Sequence, residues 1–309
     1  MSESDGTAGR PTVVVGVDGS GASRDVLAHA LAAAARRGAD LVVVTSVAVE
    51  LYYLGGAPLP MPELGDIRGD AYDRVRALVD EVRDDPEVSA VPGTRQVPVS
   101  LVVSERPAAP ELVDRSRDAV LLVVGSRGRG AARSALLGSV ALHCATLAAC
   151  PVVVVRGEGT PDPGPDRAVV VGVDDSQGAQ EAVRFAAGVA ERAGAPLRVL
   201  AAWSAPELAG VAYGMAYEAD LVQGARRATQ ELAQRAGDVV RADHPGLTTE
   251  LDVVQAHPAQ ALARASQEAG LVVVGARGHG ALTGLFLGSV SQATIHASSC
   301  PVAVVRQRG

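Results

Sequence analysis

The sequence predicts two tandem α/β domains, each a doubly wound five-stranded parallel sheet with helices on both faces, and three observations carry that prediction. A glycine-punctuated stretch occurs twice: Gly125, Gly128, Gly130, Gly138-Ser139-Val140 and Cys150-Pro151 return as Gly275, Gly278, Gly280, Gly288-Ser289-Val290 and Cys300-Pro301, every landmark displaced by 150 residues. Short Val-rich runs alternate with segments of helical periodicity, the pattern of parallel strands joined by helical crossovers. The runs are continuously apolar, as strands covered on both faces are.

Residues Met1 to Arg10 are polar and without apolar period, which predicts a disordered start. Thr12–Val17 reads as the first strand, Asp18-Gly19-Ser20 as its turn, and Ser23–Arg37 as a helix stopped by Gly38. Leu41–Val47 is the second strand, Val49–Met61 an irregular Tyr-, Gly- and Pro-bearing loop, and Ile67–Val82 an amphipathic helix. Val97–Val103, the helix Ala109–Ser116, the strand Ala119–Val124, the glycine stretch with its helix, and Val152–Val155 complete the first half, 11–156. Residues 157–167, rich in Pro and Gly and without a core side chain, read as a linker.

The second half, 168–307, restates the order. Ala168–Val173 leads into Asp174-Asp175-Ser176, followed by a helix to Ala193, the strand Leu197–Ala202 and a loop at Ser204–Met215. A long helix Asp220–Arg241, the strand Thr249–Val254, the helix Pro258–Gln267 and the strand Leu271–Val274 precede the second glycine stretch.

Composition narrows the chemistry. The 309 residues are 48% hydrophobic but only 3% aromatic, so the cores are aliphatic. A net charge of −7 with interspersed signs argues against nucleic acid or anionic lipid as partner. All 28 basic residues are Arg; the absence of Lys excludes Schiff-base chemistry and a Walker-type phosphate lysine, and the absence of Asn excludes N-glycosylation. The apolar runs are too short to span a bilayer and the start lacks a signal-like core, so no membrane partner and a cytoplasmic location are expected. Cys144, Cys150 and Cys300 lack metal or redox spacing and read as buried structural thiols. His143, His244, His257 and His296 show no metal-ligand spacing either, and no protein-only metal site is expected.

A glycine-rich loop between a strand end and a helix start is a phosphate cradle in an open parallel sheet: backbone can approach the anion without a Cβ, and the helix start offers unpaired amides. Gly125-x2-Gly128-x9-Gly138-Ser139 and Gly275-x2-Gly278-x9-Gly288-Ser289 resemble the nucleotide-binding signature of universal stress proteins of the ATP-binding class. Val-Gly-Val-Asp on both first strands and Cys-Pro-Val-x-Val-Val-Arg on both last strands extend the resemblance over nearly the whole chain.

The resemblance implies Rossmann-like domains of strand order 3-2-1-4-5 and ATP as ligand, accompanied by Mg2+. It implies that Asp18 and Asp174 approach the adenine and ribose end. Gly125, Gly128, Gly138, Ser139 and Val140, with Gly275, Gly278, Gly288, Ser289, Val290 and Ser291, would carry ribose and phosphates, with Arg127 and Arg277 as further anion contacts. It also implies that the apolar last strands pair domain with domain, here as an intramolecular pseudo-dimer, with a homodimer of chains open. Neither glycine loop carries a dedicated carboxylate, and Arg129 and His279 are solvated or phosphate-contacting positions, so at most slow hydrolysis is expected. An adenylating or ATP-hydrolysing α/β enzyme and a nucleotide-free dimerising scaffold are the alternatives.

The residue after Gly-Ser-Val differs between the halves, Ala141 in the first against Ser291 in the second. If that hydroxyl holds the terminal phosphate, the first half binds nucleotide more weakly by about 0.5–1.5 kcal/mol. Titration of an Asp174→Ala protein reads the first site alone, and full-strength binding there would contradict the expectation.

Overall fold

The computed structural model describes residues 9–47, 64–128, 137–157, 159, 162–204, 215–278 and 287–307. Most of the expected loops at 49–61 and 204–215, together with Arg129, Gly130, His279 and Gly280, lie outside the described residues, as do residues 1–8 of the expected disordered start.

In the first half, β1 (Thr12–Gly16), α1 (Ser23–Arg37), β2 (Asp40–Ser46) and α2 (Leu64–Asp84) are followed by a short α3 (Pro86–Ser89). Then come β3 (Val99–Ser104), α4 (Ala108–Arg115), β4 (Leu121–Gly125), α5 (Ser139–Leu147) and β5 (Val152–Val155). The second half runs β6 (Val169–Val173), α6 (Gln177–Ala193), β7 (Leu197–Trp203), α7 (Met215–Asp243), β8 (Thr249–Gln255), α8 (Pro258–Ala265), β9 (Leu271–Gly275), α9 (Ser289–Ala297) and β10 (Val302–Val305).

Local chemistry sets the boundaries. α1 stops at Gly38, whose φ of 58° is left-handed, and its amide closes on the Ala34 and Ala35 carbonyls. α3, which periodicity does not predict, forms because Asp85 accepts the N–H of Glu87 at 2.8 Å and Pro86 occupies the first helical position. A 3-10 turn at Thr94–Gln96, with Pro98 behind it, delays the third strand to Val99.

Each half has the strand order 3-2-1-4-5, and the two halves join into a ten-stranded sheet, β3-β2-β1-β4-β5-β10-β9-β6-β7-β8. Every pairing within a half is parallel. The join is antiparallel, with Val154, Val153 and Val152 of β5 opposite Val302, Ala303 and Val304 of β10. Along each buried strand, alternate residues enter opposite cores: Val13, Val15, Leu121, Val123 and Val153 on one face, Val14, Leu122, Val124, Val152 and Val154 on the other. Each core layer contains residues of both halves.

The linker departs from its expectation. Without a large apolar side chain it is predicted to lie outside any core, yet Pro163 is buried where the halves meet. It lines a small cavity there with His29, Arg37, Phe185 and Leu271. The neighbouring Asp162 pairs with His29 Nδ1 at 2.9 Å and with Arg36. Arg37 stacks over the Phe185 ring at 5.9 Å, and burial, then Arg192 and Arg36, push it down to about 10. Asp162 offsets the Arg36 and Arg37 guanidiniums, and Glu191 offsets Arg192.

Burial alone would raise the Asp162 carboxyl, but His29 and then Arg36 hold it below the usual carboxylate range. Its contribution to stability is therefore complete above the unfolded value of about 3.9 and is lost as pH falls through the lower folded value. Asp162→Asn should cost about 1–3 kcal/mol at neutral pH, a difference that shrinks towards zero in acid; urea unfolding against pH checks it. Equal stability at neutral pH would contradict the assignment. None of the three cysteines forms a disulfide and all are buried, and burial pushes Cys144 and Cys300 up to about 12. Both thiols should resist a thiol reagent at about pH 8 until the chain unfolds, and rapid modification of the native protein would overturn this.

Candidate functional site

In an open α/β sheet the chain crosses from one face to the other where strand order reverses, leaving a crevice at the carboxyl ends of the strands. Here the reversals fall between β1 and β4 and between β6 and β9. A cavity of about 520 Å³ lies at the first and one of about 430 Å³ at the second. All fifteen residues expected at the sites line them. Asp18, Gly125, Arg127, Gly128, Gly138, Ser139 and Val140 face the first cavity. Asp174, Gly275, Arg277, Gly278, Gly288, Ser289, Val290 and Ser291 face the second.

One wall is the aspartate turn. Asp18 Oδ1 accepts the N–H of Ser20 at 3.0 Å, the Ser20 hydroxyl at 2.7 Å and the hydroxyl of buried Ser23 at 3.0 Å. The Ser23 Oγ in turn accepts the N–H of Gly19 at 3.1 Å. Ala179 stands where the first half has Ser23, and Asp174 Oδ1 accepts from the N–H of Ser176 at 3.1 Å and from its hydroxyl. The Ser176 Oγ also accepts the N–H of Ala179 at 3.2 Å and so caps α6. The same carboxylate position is thus fixed by different hydroxyls in the two halves.

The aspartate and the glycine loop meet. A Cβ at Gly128 would stand 2.7 Å from Asp18 Oδ2, and one at Gly278 would be closer still to Asp174 Oδ2. With Oδ1 held by two or three donors, neither carboxylate can swing away freely. Glycine at these positions is required by the aspartate before any ligand is considered.

The helix starts form the opposite wall. Gly138 N–H donates to the Ser126 carbonyl and Gly288 N–H to the Ala276 carbonyl, both at 2.8 Å, closing each loop onto its strand end. The amides that remain open are those of the next residues. α5 and α9 have glycine N-caps and no side-chain cap, so Ser139 and Val140, like Ser289 and Val290, present N–H groups without an acceptor among the described residues. These amides and the positive end of each helix dipole face the cavity, as an anion needs.

Each cavity also has an apolar wall that the sequence reading did not single out. Val44, Ala108, Leu112 and Val124 form it in the first half, and Leu200, Pro258, Leu262 and Val274 in the second. Part of the signal was present: Ala108 and Pro258, Leu112 and Leu262, and Val124 and Val274 keep the same 150-residue displacement as the glycines. A cavity apolar on one side and amide-rich on the other suits a flat base joined to an anionic tail.

Ser291 stands apart from its expected role. Its hydroxyl, almost wholly buried, donates to the Gly275 carbonyl at 2.6 Å and ties α9 to the end of β9. A bond to a phosphate oxygen would have to replace that one, so the advantage expected for the second site shrinks to the difference between two acceptors. The described lining of the second cavity also carries one more carboxylate, Asp175, which opposes an anion.

The universal stress protein family profile matches residues 9–156 and again 167–306. Universal stress protein Rv2005c of Mycobacterium tuberculosis (strain ATCC 25618 / H37Rv) is 36% identical over 297 residues, covering 96% of this chain and 97% of the relative. Universal stress protein Rv2623 of the same strain is 35% identical over 303 residues, covering 96% of each. Among solved structures, a universal stress protein from Archaeoglobus fulgidus DSM 4304 shares the fold with a TM-score of 0.63 at 20% identity, over 96% of each chain.

The Ser291 bond yields a test that needs no ligand. Ser291→Ala should lower the unfolding free energy by about 0.5–1.5 kcal/mol in chemical denaturation, and unchanged stability would contradict the bond to Gly275.

Proposed function

The chain belongs to the universal stress protein family, and on that premise we propose that it is an ATP-binding member with one adenine-nucleotide site in each half. The observation that carries the reading is the double cavity, in which uncapped helix-start amides face an aspartate turn across a glycine loop and an apolar wall continues behind them. In this reading the base lies against Val44 and Leu112, or Leu200 and Leu262. Asp18 or Asp174 accepts from its polar edge or from the ribose. The phosphates lie along the Ser139–Val140 or Ser289–Val290 amides, with Arg127 or Arg277 beside them. Mg2+ enters with the triphosphate and neutralises part of its charge.

Binding, with hydrolysis slow or nil, is the working event. Turnover at the γ-phosphate needs a group that orients water. Among the described lining residues, the carboxylates of Asp18 and Asp174 are engaged in holding their turns, and Asp175 pairs with Arg235. The biological output is a response to stress in which nucleotide occupancy changes what the cavity rims present to a protein partner. Because the inner edges of β5 and β10 satisfy each other, a homodimer of chains would have to use other surfaces, such as the outer strands β3 and β8.

Titration with Mg-ATP should give two sites per chain. Gly138→Asp and Gly288→Asp each place a carboxylate at a helix start, and each should abolish one site and leave the other, while the double variant binds none. Retention of two sites in either single variant would refute the placement.

A further inference from the structure

Next to the second nucleotide cavity lies another open cavity of about 490 Å³, lined by Gln177, Gly178, Arg277, Arg306 and Gln307. It shares Arg277 and Gly278 with the nucleotide cavity but none of the helix-start residues Gly288 to Ser291. Gln307 Nε2 donates to Gln177 Oε1 at 2.7 Å and fixes part of its rim. Among the described residues, neither the Arg277 nor the Arg306 guanidinium pairs with a carboxylate or donates a hydrogen bond. Burial, and then the neighbouring Arg277, hold Arg306 below the usual arginine value.

The two halves have diverged here. Arg156, the counterpart of Arg306, donates from Nη1 to the Ile295 carbonyl at 2.9 Å and to the His296 carbonyl, closing the end of α9 across the junction of the halves. Arg306 has no such bond among the described residues. Two like charges lining one cavity repel each other unless an anion bridges them, and the guanidinium fork matches the oxygens of a phosphate group. α6 begins at the same wall, so its positive end adds to the attraction.

We infer that this cavity is a second anion subsite, distinct from the nucleotide cradle, that takes a phosphate-class oxyanion between Arg277 and Arg306. The oxyanion is either free phosphate or the phosphoryl group of a second small molecule. The inference shares Arg277 with the ATP reading and is distinguished from it by Arg306, which lines this cavity and not the nucleotide cavity.

The test is titration of inorganic phosphate, and separately of Mg-ATP, into the full chain as wild type, Arg306→Gln, Arg306→Lys and Gly288→Asp, with far-UV circular dichroism confirming the fold of each. The expected result is a phosphate site that weakens at least about tenfold in Arg306→Gln, partly recovers in Arg306→Lys and survives in Gly288→Asp. Second-site ATP binding should show the reverse, kept in both Arg306 variants and lost in Gly288→Asp. Glycerol phosphate binding more tightly than inorganic phosphate would assign the subsite to a phosphorylated small molecule, and equal or weaker binding to free phosphate. Phosphate binding unchanged in Arg306→Gln, lost only in Gly288→Asp, or absent from the wild type would overturn the inference, whatever becomes of ATP.

Discussion

The antiparallel pairing of β5 with β10 is the constraint on which the rest of the molecule depends. Two four-residue Val-rich strands would otherwise leave unpaired backbone at the inner edge of each half. Joined, they satisfy each other and make both core layers continuous from one half to the other. Because the join is antiparallel while every pairing within a half is parallel, the strands of the two halves point their carboxyl ends in opposite directions. The two cavities therefore open at opposite ends of the sheet. The junction is reinforced by polar contacts at specific points: Asp162 of the linker holds His29 and Arg36 of the first half, and Arg156 of the first half donates to the end of α9 in the second.

Within each half the geometry of the cavity follows from a contact between two loops. The aspartate turn after the first strand is locked by serine hydroxyls, and its carboxylate presses on the second glycine of the loop after the fourth strand. That contact, together with the bond from the third glycine back to the strand end, positions the helix so that its first amides face the crevice. The glycines thus serve the protein's own close packing first, and the room they leave for an anion follows from it. The two halves keep this arrangement while the supporting side chains differ: Ala179 stands opposite Ser23 and Ala141 opposite Ser291.

The features legible in sequence are those with a period or a repeat. Strands and helices follow from apolar spacing, the duplication from the 150-residue displacement, and the cavity-lining glycines and aspartates from their place at strand ends. Features that depend on which surfaces meet were not legible. Pro163 sits in a segment of loop composition, and its burial depends on the two halves closing over it. The Ser291 hydroxyl could be read as a ligand contact because spacing says nothing of the Gly275 carbonyl 2.6 Å away. The apolar walls were hidden because Leu112 and Leu262 read as ordinary core positions until strand order brings their helices over the crevice. Strand order itself came from resemblance, since periodicity specifies elements and not their neighbours.

The central claim is that both crevices are nucleotide cradles formed by helix-start amides. A crystal structure of the full chain grown with Mg2+ and a non-hydrolysable ATP analogue tests it most directly. The account predicts density for an adenine nucleotide in both cavities, with phosphate oxygens within hydrogen-bond distance of the Ser139 and Val140 amides in one and of the Ser289 and Val290 amides in the other. Density with the phosphates away from these amides, or both cavities filled only by water at saturating analogue, would contradict it.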